Sequence, residues 1–409
     1  MPIYLIIIFV FSTFANRAFS LEGLVGLEQK LTEKNSELKS LQLNLESKDA
    51  LNNSSFSGYY PTLNAIGGWG QNKTDELINT QKGYLGYLEG KLNLFKGFKD
   101  QSVSNQKKLN LKIAKIDFES KKRELRLQLT EIASDMIFLH KLQSILEDEY
   151  KVTQTQKQMA EKKVAAGLTG PVDKLEFELK ETEIQIEQKQ INQRHEEAHQ
   201  KFIKLYTEEI TDSELEKLDF SSFEKLTNGT DSFKIENTLD YQKADFTLAQ
   251  VDLEKEEIKS EFLPSLDFSY SVGRLTPSED SPTKFNESKY AVQLTLPLFS
   301  GFDTYYKTKA ANLSSKSTAN NKLQIRNNLL AEHGILKTKI TESSQLYQLN
   351  EIKMRNSQKY FDLTLAEYKR GIKNSPDLIS ATERLFSTKK KKFELLKELE
   401  IFKIKIENF

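Results

Sequence analysis

The sequence predicts a mainly α-helical chain with a small membrane-type β-sheet, built from two tandem repeats. Three observations carry this. Segments recur in order: Leu88–Phe98 reads LEGKLNLFKGF and Val292–Phe302 reads VQLTLPLFSGF. Tyr60-Pro61-Thr62-Leu63 precedes the first and Leu263-Pro264-Ser265-Leu266 the second. Ala160–Asp173 (AEKKVAAGLTGPVD) and Ala366–Asp377 (AEYKRGIKNSPD) follow. The offset between partners is about 203–206 residues, far beyond the roughly 20–50 of a solenoid repeat. The second observation is seven-residue apolar periodicity sustained over unusual lengths. The third is four short segments in which apolar and polar residues alternate.

In chain order, Met1–Ser20 holds an apolar run from Leu5 to Phe14, followed by Ala18-Phe19-Ser20. The run is too short to span a bilayer, which takes about 20 residues, and the small-x-small triplet reads as the end of a cleaved secretory signal peptide over 1–20. Leu24, Leu31, Leu38 and Leu45, with Leu27 and Leu41 between them, predict an amphipathic helix. Strands follow at about 59–70 and 84–95. Leu63, Ala65 and Trp69 share a face in the first, while Leu88, Leu92 and Leu94 alternate with Glu89, Lys91 and Asn93 in the second. Nothing breaks a helix from Gly97 to Val164, and Leu125, Leu129, Ile132, Met136, Leu139, Leu146 and Tyr150 follow 4-3 spacing, with polar Gln143 at the one skipped place. A helix of some 68 residues would be about 100 Å long, and a 3.5-residue repeat needs helical partners along its seam.

A reversal falls at 166–171, where Gly167 supplies positive φ and Pro171 opens the next helix. The return helix carries Phe177, Ile184, Ile191, Ala198 and Leu205. The first repeat thus spans 21–207. A polar, weakly periodic linker covers 208–235, and the second repeat runs over 236–409. Its strands are expected at about 263–274 and 288–299. Leu266, Phe268, Tyr270 and Val272 alternate with Ser265, Asp267, Ser269 and Ser271. Val292, Leu294, Leu296 and Leu298 form the matching stripe. Its long helix carries Ile340, Tyr347, Met354, Phe361 and Tyr368, its reversal lies at 371–376, and its return helix carries Leu378, Leu385, Leu399 and Ile406.

An apolar face opposite a polar one is the pattern of a membrane barrel with a wet lumen. Four strands cannot close, and open edges are not tolerated in lipid. The strands therefore require an oligomer if they enter the membrane, and the helical seams independently require neighbours.

Composition excludes other classes. Lys plus Arg equals Asp plus Glu at 59 each, so no net field recruits nucleic acid. The Lys389–Lys392 run falls in a helical pattern and reads as a solvated face. No Cys occurs, which rules out disulfides and thiolate metal sites. His195-Glu196-Glu197-Ala198-His199 matches H-E-x-x-H, which on a helix could hold zinc with Glu196 as base. Its polar flanks are unlike a helix beneath an active site, and the sequence is read as no enzyme, with no cofactor and no metal.

The doubled Pro-x-Leu strand entries (Pro61, Pro264), the doubled Leu-Phe-x-Gly exits (Leu94–Gly97, Leu298–Gly301) and the doubled glycine turn before an aspartate (Gly167 with Asp173, Gly371 with Asp377) resemble the TolC-like outer-membrane efflux proteins over nearly the whole mature length. The resemblance implies a homotrimer sharing a twelve-stranded barrel in the outer membrane of a Gram-negative-type bacterium, above a long periplasmic helical tunnel. It implies an exit duct of a tripartite efflux pump or type I secretion system. The implied partners are a periplasmic adaptor, an inner-membrane transporter of RND or ABC type, and outer-membrane lipid. It also implies a periplasmic constriction at Tyr368, Lys373 and Asp377, with Ser380 where a second aspartate would stand, and with Asp173 and Glu176 from the first repeat. Gly167, Leu168, Thr169, Gly371 and Ile372 correspond to the adaptor-contacting tips. The competing reading of the residues is a secreted or periplasmic coiled-coil scaffold without transport activity, its strand segments forming small hairpins.

Overall fold

The computed structural model describes residues 31–74, 79–206, 233–279, 287–407 and 409. The expected signal peptide lies outside these residues, as does the expected linker up to residue 232. In chain order the elements are α1 (Ser36–Ser54), β1 (Thr62–Thr74), β2 (Asn79–Lys96), α2 (Lys99–Ala165), α3 (Val172–Tyr206), α4 (Leu239–Ser260), β3 (Ser265–Ser278), β4 (Glu287–Thr295), α5 (Asp303–Lys369) and α6 (Ser375–Glu407). Both long helices contain 67 residues. Among the described residues no helix is long and apolar enough to cross a membrane.

The chain divides into two compact units. One comprises Ser36–Glu124 with Asp231–Ile335 and Phe409. It contains the antiparallel sheet, in strand order β1-β2-β3-β4. Residues directly opposite in antiparallel strands share a face, so the register shows what each face holds. Leu63 and Ala65 sit opposite Gly90 and Leu88. Leu88, Gly90 and Leu92 sit opposite Val272, Tyr270 and Phe268. Tyr270, Phe268 and Leu266 sit opposite Tyr290, Val292 and Leu294. One apolar face therefore runs across all four strands. On the other face Glu89, Ser271 and Lys289 align, as do Asn93, Asp267 and Gln293. Asn93 Nδ2 donates to Asp267 Oδ1 at 2.5 Å.

The alternation expected at Leu94 is interrupted. A register shift between Asn93 and Phe95 sets Phe95, not Leu94, opposite Leu266. Such a bulge adds one residue to one strand and bends it. Both strand exits then turn through two successive residues of positive φ: Gly97 at 60° with Phe98 at 66°, and Gly301 at 65° with Phe302 at 66°. The left-handed region disfavours a side chain by about 1–2 kcal/mol, yet each Phe holds it. Each ring is met edge-to-face by the aromatic three residues earlier, Phe95–Phe98 at 5.2 Å and Phe299–Phe302 at 5.3 Å.

The second unit includes Leu125–Thr230 and Leu336–Asn408. Its core is a set of heptad seams. Leu125, Leu129, Met136, Leu139 and Leu146 of α2 are buried, as are Phe177, Ile184, Ile191 and Ala198 of α3 and Leu378, Leu385 and Leu399 of α6. The seam of α5 is unlike these. Ile340, Tyr347 and Met354 are only half-buried, whereas Ser343, Asn350, Ser357 and Thr364, at the alternate heptad places, are buried. Asn350 Nδ2 donates to the Thr388 carbonyl of α6 at 3.0 Å.

Ion pairs around one buried carboxylate cross-brace the same unit. Glu149 of α2 lies 3.1 Å from Lys390 of α6 and 4.0 Å from Lys180 of α3. Lys390 reaches Glu187 at 2.8 Å, and Lys180 reaches Glu383 at 2.6 Å. Burial pushes the Glu149 carboxyl above its ordinary value, against the pull of Lys390.

Candidate functional site

The two reversals of the helical unit are built alike. In the first, the Leu168 amide donates to the Lys163 carbonyl at 2.9 Å, and the Gly167 amide to Val164 at 3.0 Å. In the second, the Ile372 amide donates to Glu367 at 3.0 Å, and the Gly371 amide to Tyr368 at 3.0 Å. This pair of bonds is the Schellman end, and it demands a left-handed residue. Gly167 at φ 67° and Gly371 at φ 82° supply it. The apolar side chains that follow, Leu168 and Ile372, are 74% and 67% exposed, so each turn presents one bare hydrophobic residue. The next helices start with side-chain help. Asn374 Oδ1 accepts from the Asp377 amide at 3.1 Å, and Asp173 lies in the first turn of α3, where a carboxylate favours the helix dipole.

Tyr368 is the hub between the reversals. It is 0% exposed and packs in one cluster with Ala160, Phe177, Phe361, Leu378, Ala381 and Leu385. Its ring meets Phe177 edge-to-face at 6.0 Å. A buried hydroxyl needs a partner, and here it donates to Asp173 Oδ2 at 2.9 Å. The other oxygen of Asp173 accepts from the Ser375 amide at 3.2 Å. One carboxylate thus holds the end of α5 and the start of α6. Burial first, and Asp173 second, push the Tyr368 phenol well above its ordinary value. It stays protonated and remains a donor.

Of the residues singled out from sequence, the structure brings Tyr368 and Asp173 into direct contact. Lys373 and Asp377 pair with each other at 3.8 Å. Glu176 and Ser380 are half-buried and take no part in the Tyr368–Asp173 link. Two participants escape the sequence reading. The Ser375 amide is a backbone group, invisible in side-chain chemistry. Lys163 lies with its ammonium 3.6 Å from the Tyr368 ring centroid and also donates to the Tyr368 carbonyl. Its one sequence signal was its place in the last turn before a glycine, where a cation can cap helix carbonyls.

The H-E-x-x-H segment lies on α3. Glu196 is exposed and accepts from Gln200 at 2.9 Å, and Glu197 accepts from Gln193 at 3.0 Å. Among the described residues no three metal-ligating side chains gather.

Comparison with solved structures gives the same architecture. CusC, described by its folding and transmembrane channel formation, superposes with a TM-score of 0.82 at 14% identity, covering 94% of this chain and 91% of that one. The open-state MtrE outer membrane channel of Neisseria gonorrhoeae gives 0.80 at 16% identity, covering 94% and 88%. The outer membrane protein VceC of Vibrio cholerae gives 0.76 at 12% identity, covering 94% of each. No curated protein matches the chain in sequence. Residues 234–405 match the family model for outer membrane efflux proteins. The second repeat thus matches the outer membrane efflux protein family in sequence, and over 94% of its length the chain shares the fold of these solved channels.

Proposed function

We propose that three copies of the chain close their sheets into one twelve-stranded barrel in the outer membrane and act as a passive exit duct from the periplasm. The observation that carries this reading is the sheet itself: four strands, one continuous apolar face, and two edges, β1 and β4, with no further partner among the described residues. On β4, Tyr290, Val292 and Leu294 are 78%, 63% and 68% exposed. In water such an edge invites aggregation. In lipid an unpaired edge costs several kcal/mol per group, and closure by copies of the same sheet removes both costs. The helical half supports the same assembly, since Leu346, Leu349 and Leu363 of α5 are exposed and a heptad helix needs neighbours.

In this reading the reversals form the periplasmic end. Tyr368, Asp173, Lys373 and Asp377, with Glu176 and Ser380 beside them, make the constriction. Gly167, Leu168, Thr169, Gly371 and Ile372 meet a periplasmic adaptor, which links the duct to an inner-membrane transporter of a tripartite pump or type I secretion system. Bare Leu168 and Ile372 suit a helical partner that offers apolar pockets. The domain plan of two repeats, 21–207 and 236–409, joined by a linker at 208–235, belongs to the same proposal.

The test is mass and conductance together. Extraction should require detergent, the particle should have three times the chain mass, and it should form channels in planar bilayers. A detergent-free monomer with the same fold would overturn the duct and favour a scaffold.

A further inference from the structure

The two reversals share one residue. The carbonyl of Lys163 accepts the Leu168 amide at 2.9 Å, the bond that closes α2. The ammonium of Lys163 closes the other turn. It donates to the Tyr368 carbonyl, the same oxygen that accepts the Gly371 amide at 3.0 Å, and it lies 3.6 Å from the Tyr368 ring centroid.

We propose that Lys163 is a positioning residue that couples the Gly167–Thr169 turn to Tyr368, so that a displacement of the first reversal is transmitted to the second. The proposal rests on reading these reversals as the duct's gate, and extends it by naming the connection between tip and link. Three effects act at one ammonium. A cation at a helix C-terminus interacts favourably with the exposed carbonyls. A cation over an aromatic face is attracted by its quadrupole. A charged donor makes a stronger hydrogen bond than a neutral one. All three hold the end of α5, while the backbone of Lys163 is fixed by the turn of α2. Because Tyr368 also holds Asp173 through its hydroxyl, moving Lys163 moves the ring on which that link depends.

The experiment uses the full chain in detergent, with Lys163→Met, Lys163→Arg and Gly167→Ala. Met keeps the stem and removes the cation; Arg keeps a cation that stacks and donates. Hydrogen exchange is read at the Gly371 and Ile372 amides, and conductance in planar bilayers. Lys163→Met should speed that exchange about tenfold, leave the α2 core around Leu129 unchanged and raise conductance. Lys163→Arg should stay near the unsubstituted chain. Gly167→Ala, whose direct strain falls in the first turn, should speed exchange at Gly371 through Lys163, and should add nothing once Lys163 is Met. If Met and Arg behave alike, or if Gly167→Ala acts equally in both backgrounds, the coupling is overturned. If the exchange pattern holds but neither Lys163→Met nor Tyr368→Phe changes conductance, the coupling stands and the gate reading fails.

Discussion

Lys373 Nζ lies 3.8 Å from Asp377 Oδ2, one turn along the second reversal, and each side chain is 39% exposed. The pair is too wet to add much stability, but it sets the charge presented there. In the proposed trimer a bare ring of Asp377 carboxylates would favour cations strongly, and Lys373 beside each one would balance that charge within its own chain. Asp377→Ala should therefore lower cation preference, and Lys373→Ser should raise it. Ser380→Asp should also raise it. Reversal potentials across a salt gradient measure all three. If none moves the potential, these residues do not line the conduction path.

Tyr368→Phe removes the hydroxyl that Asp173 holds at 2.9 Å while leaving the ring packed. One such bond is worth about 1 kcal/mol, or up to about 3 with a charged partner, so partial opening is expected, not a fixed open pore. Conductance should rise, and substates should lengthen. The phenol is raised above its ordinary 10.0. The stability it contributes is therefore complete below pH 10 and is lost only as pH climbs further. The conductance gap between Phe and Tyr channels should be the same at pH 6 and pH 8. A gap that closes between those values would assign the link to another group.

Most of the fold was legible because duplication repeated each signal. Glycine turns, heptads and strand alternation each occur twice, so a weak pattern in one half was read against its partner. What escaped has physical reasons. The buried Ser343, Asn350, Ser357 and Thr364 carry no apolar signal, because they are small or polar and Asn350 is held by a hydrogen bond to α6, not by transfer from water. The bulge at Leu94 is invisible because Leu94 and Phe95 are both apolar, and either could fill the face. At the reversals Tyr368 and Asp173 stood out through resemblance, and their contact followed. Lys163 did not, because one lysine among many in a charged helix is marked only by what its ammonium reaches.

Glu400 is 4% exposed, and its Oε2 has no hydrogen-bond partner among the described residues. Burial pushes its carboxyl from an ordinary 4.5 up to about 7, against the pull of Lys403 and with a push from Glu407. Folding therefore favours the protonated form. Any advantage is complete below pH 4.5 and is lost as pH rises through about 7, where the buried charge becomes a penalty. Glu400→Gln, neutral at every pH, should stabilise the folded chain by about 2–3 kcal/mol at pH 8 and hardly at all at pH 4. Unfolding in detergent at the two pH values checks this. An equal gain at both would mean that the charge is not the cause.

His195→Ala and Glu196→Ala should leave transport intact, with stability changed by at most about 1 kcal/mol, as at other surface sites. Glu196 is exposed and accepts a hydrogen bond from Gln200. Loss of transport in a normally assembled variant would reopen the metal reading of this segment.

The two strand-exit glycines should differ despite their matching backbone. Gly97 and Gly301 have φ of 60° and 65°, so alanine at either meets the same left-handed cost of about 1–2 kcal/mol. Their surroundings are not the same. A Cβ on Gly97 would lie 2.7 Å from Leu263 Cβ and 2.8 Å from the Ser260 carbonyl, whereas one on Gly301 meets nothing within 4 Å among the described residues. The Ser260 carbonyl cannot yield easily, since it accepts the Leu263 amide at 3.0 Å in the turn that feeds β3. Gly97→Ala should therefore add an overpacking cost of about 1–3 kcal/mol to the shared backbone term, and Gly301→Ala should show the backbone term alone. Unfolding of the dissociated chain would show this difference directly. In the assembled protein the gap should shrink if a neighbouring copy covers the open side of Gly301, because its Cβ would then have backbone to meet as well. If the two variants are equally stable as dissociated chains, the packing of Gly97 against the α4–β3 turn is not as tight as these distances require.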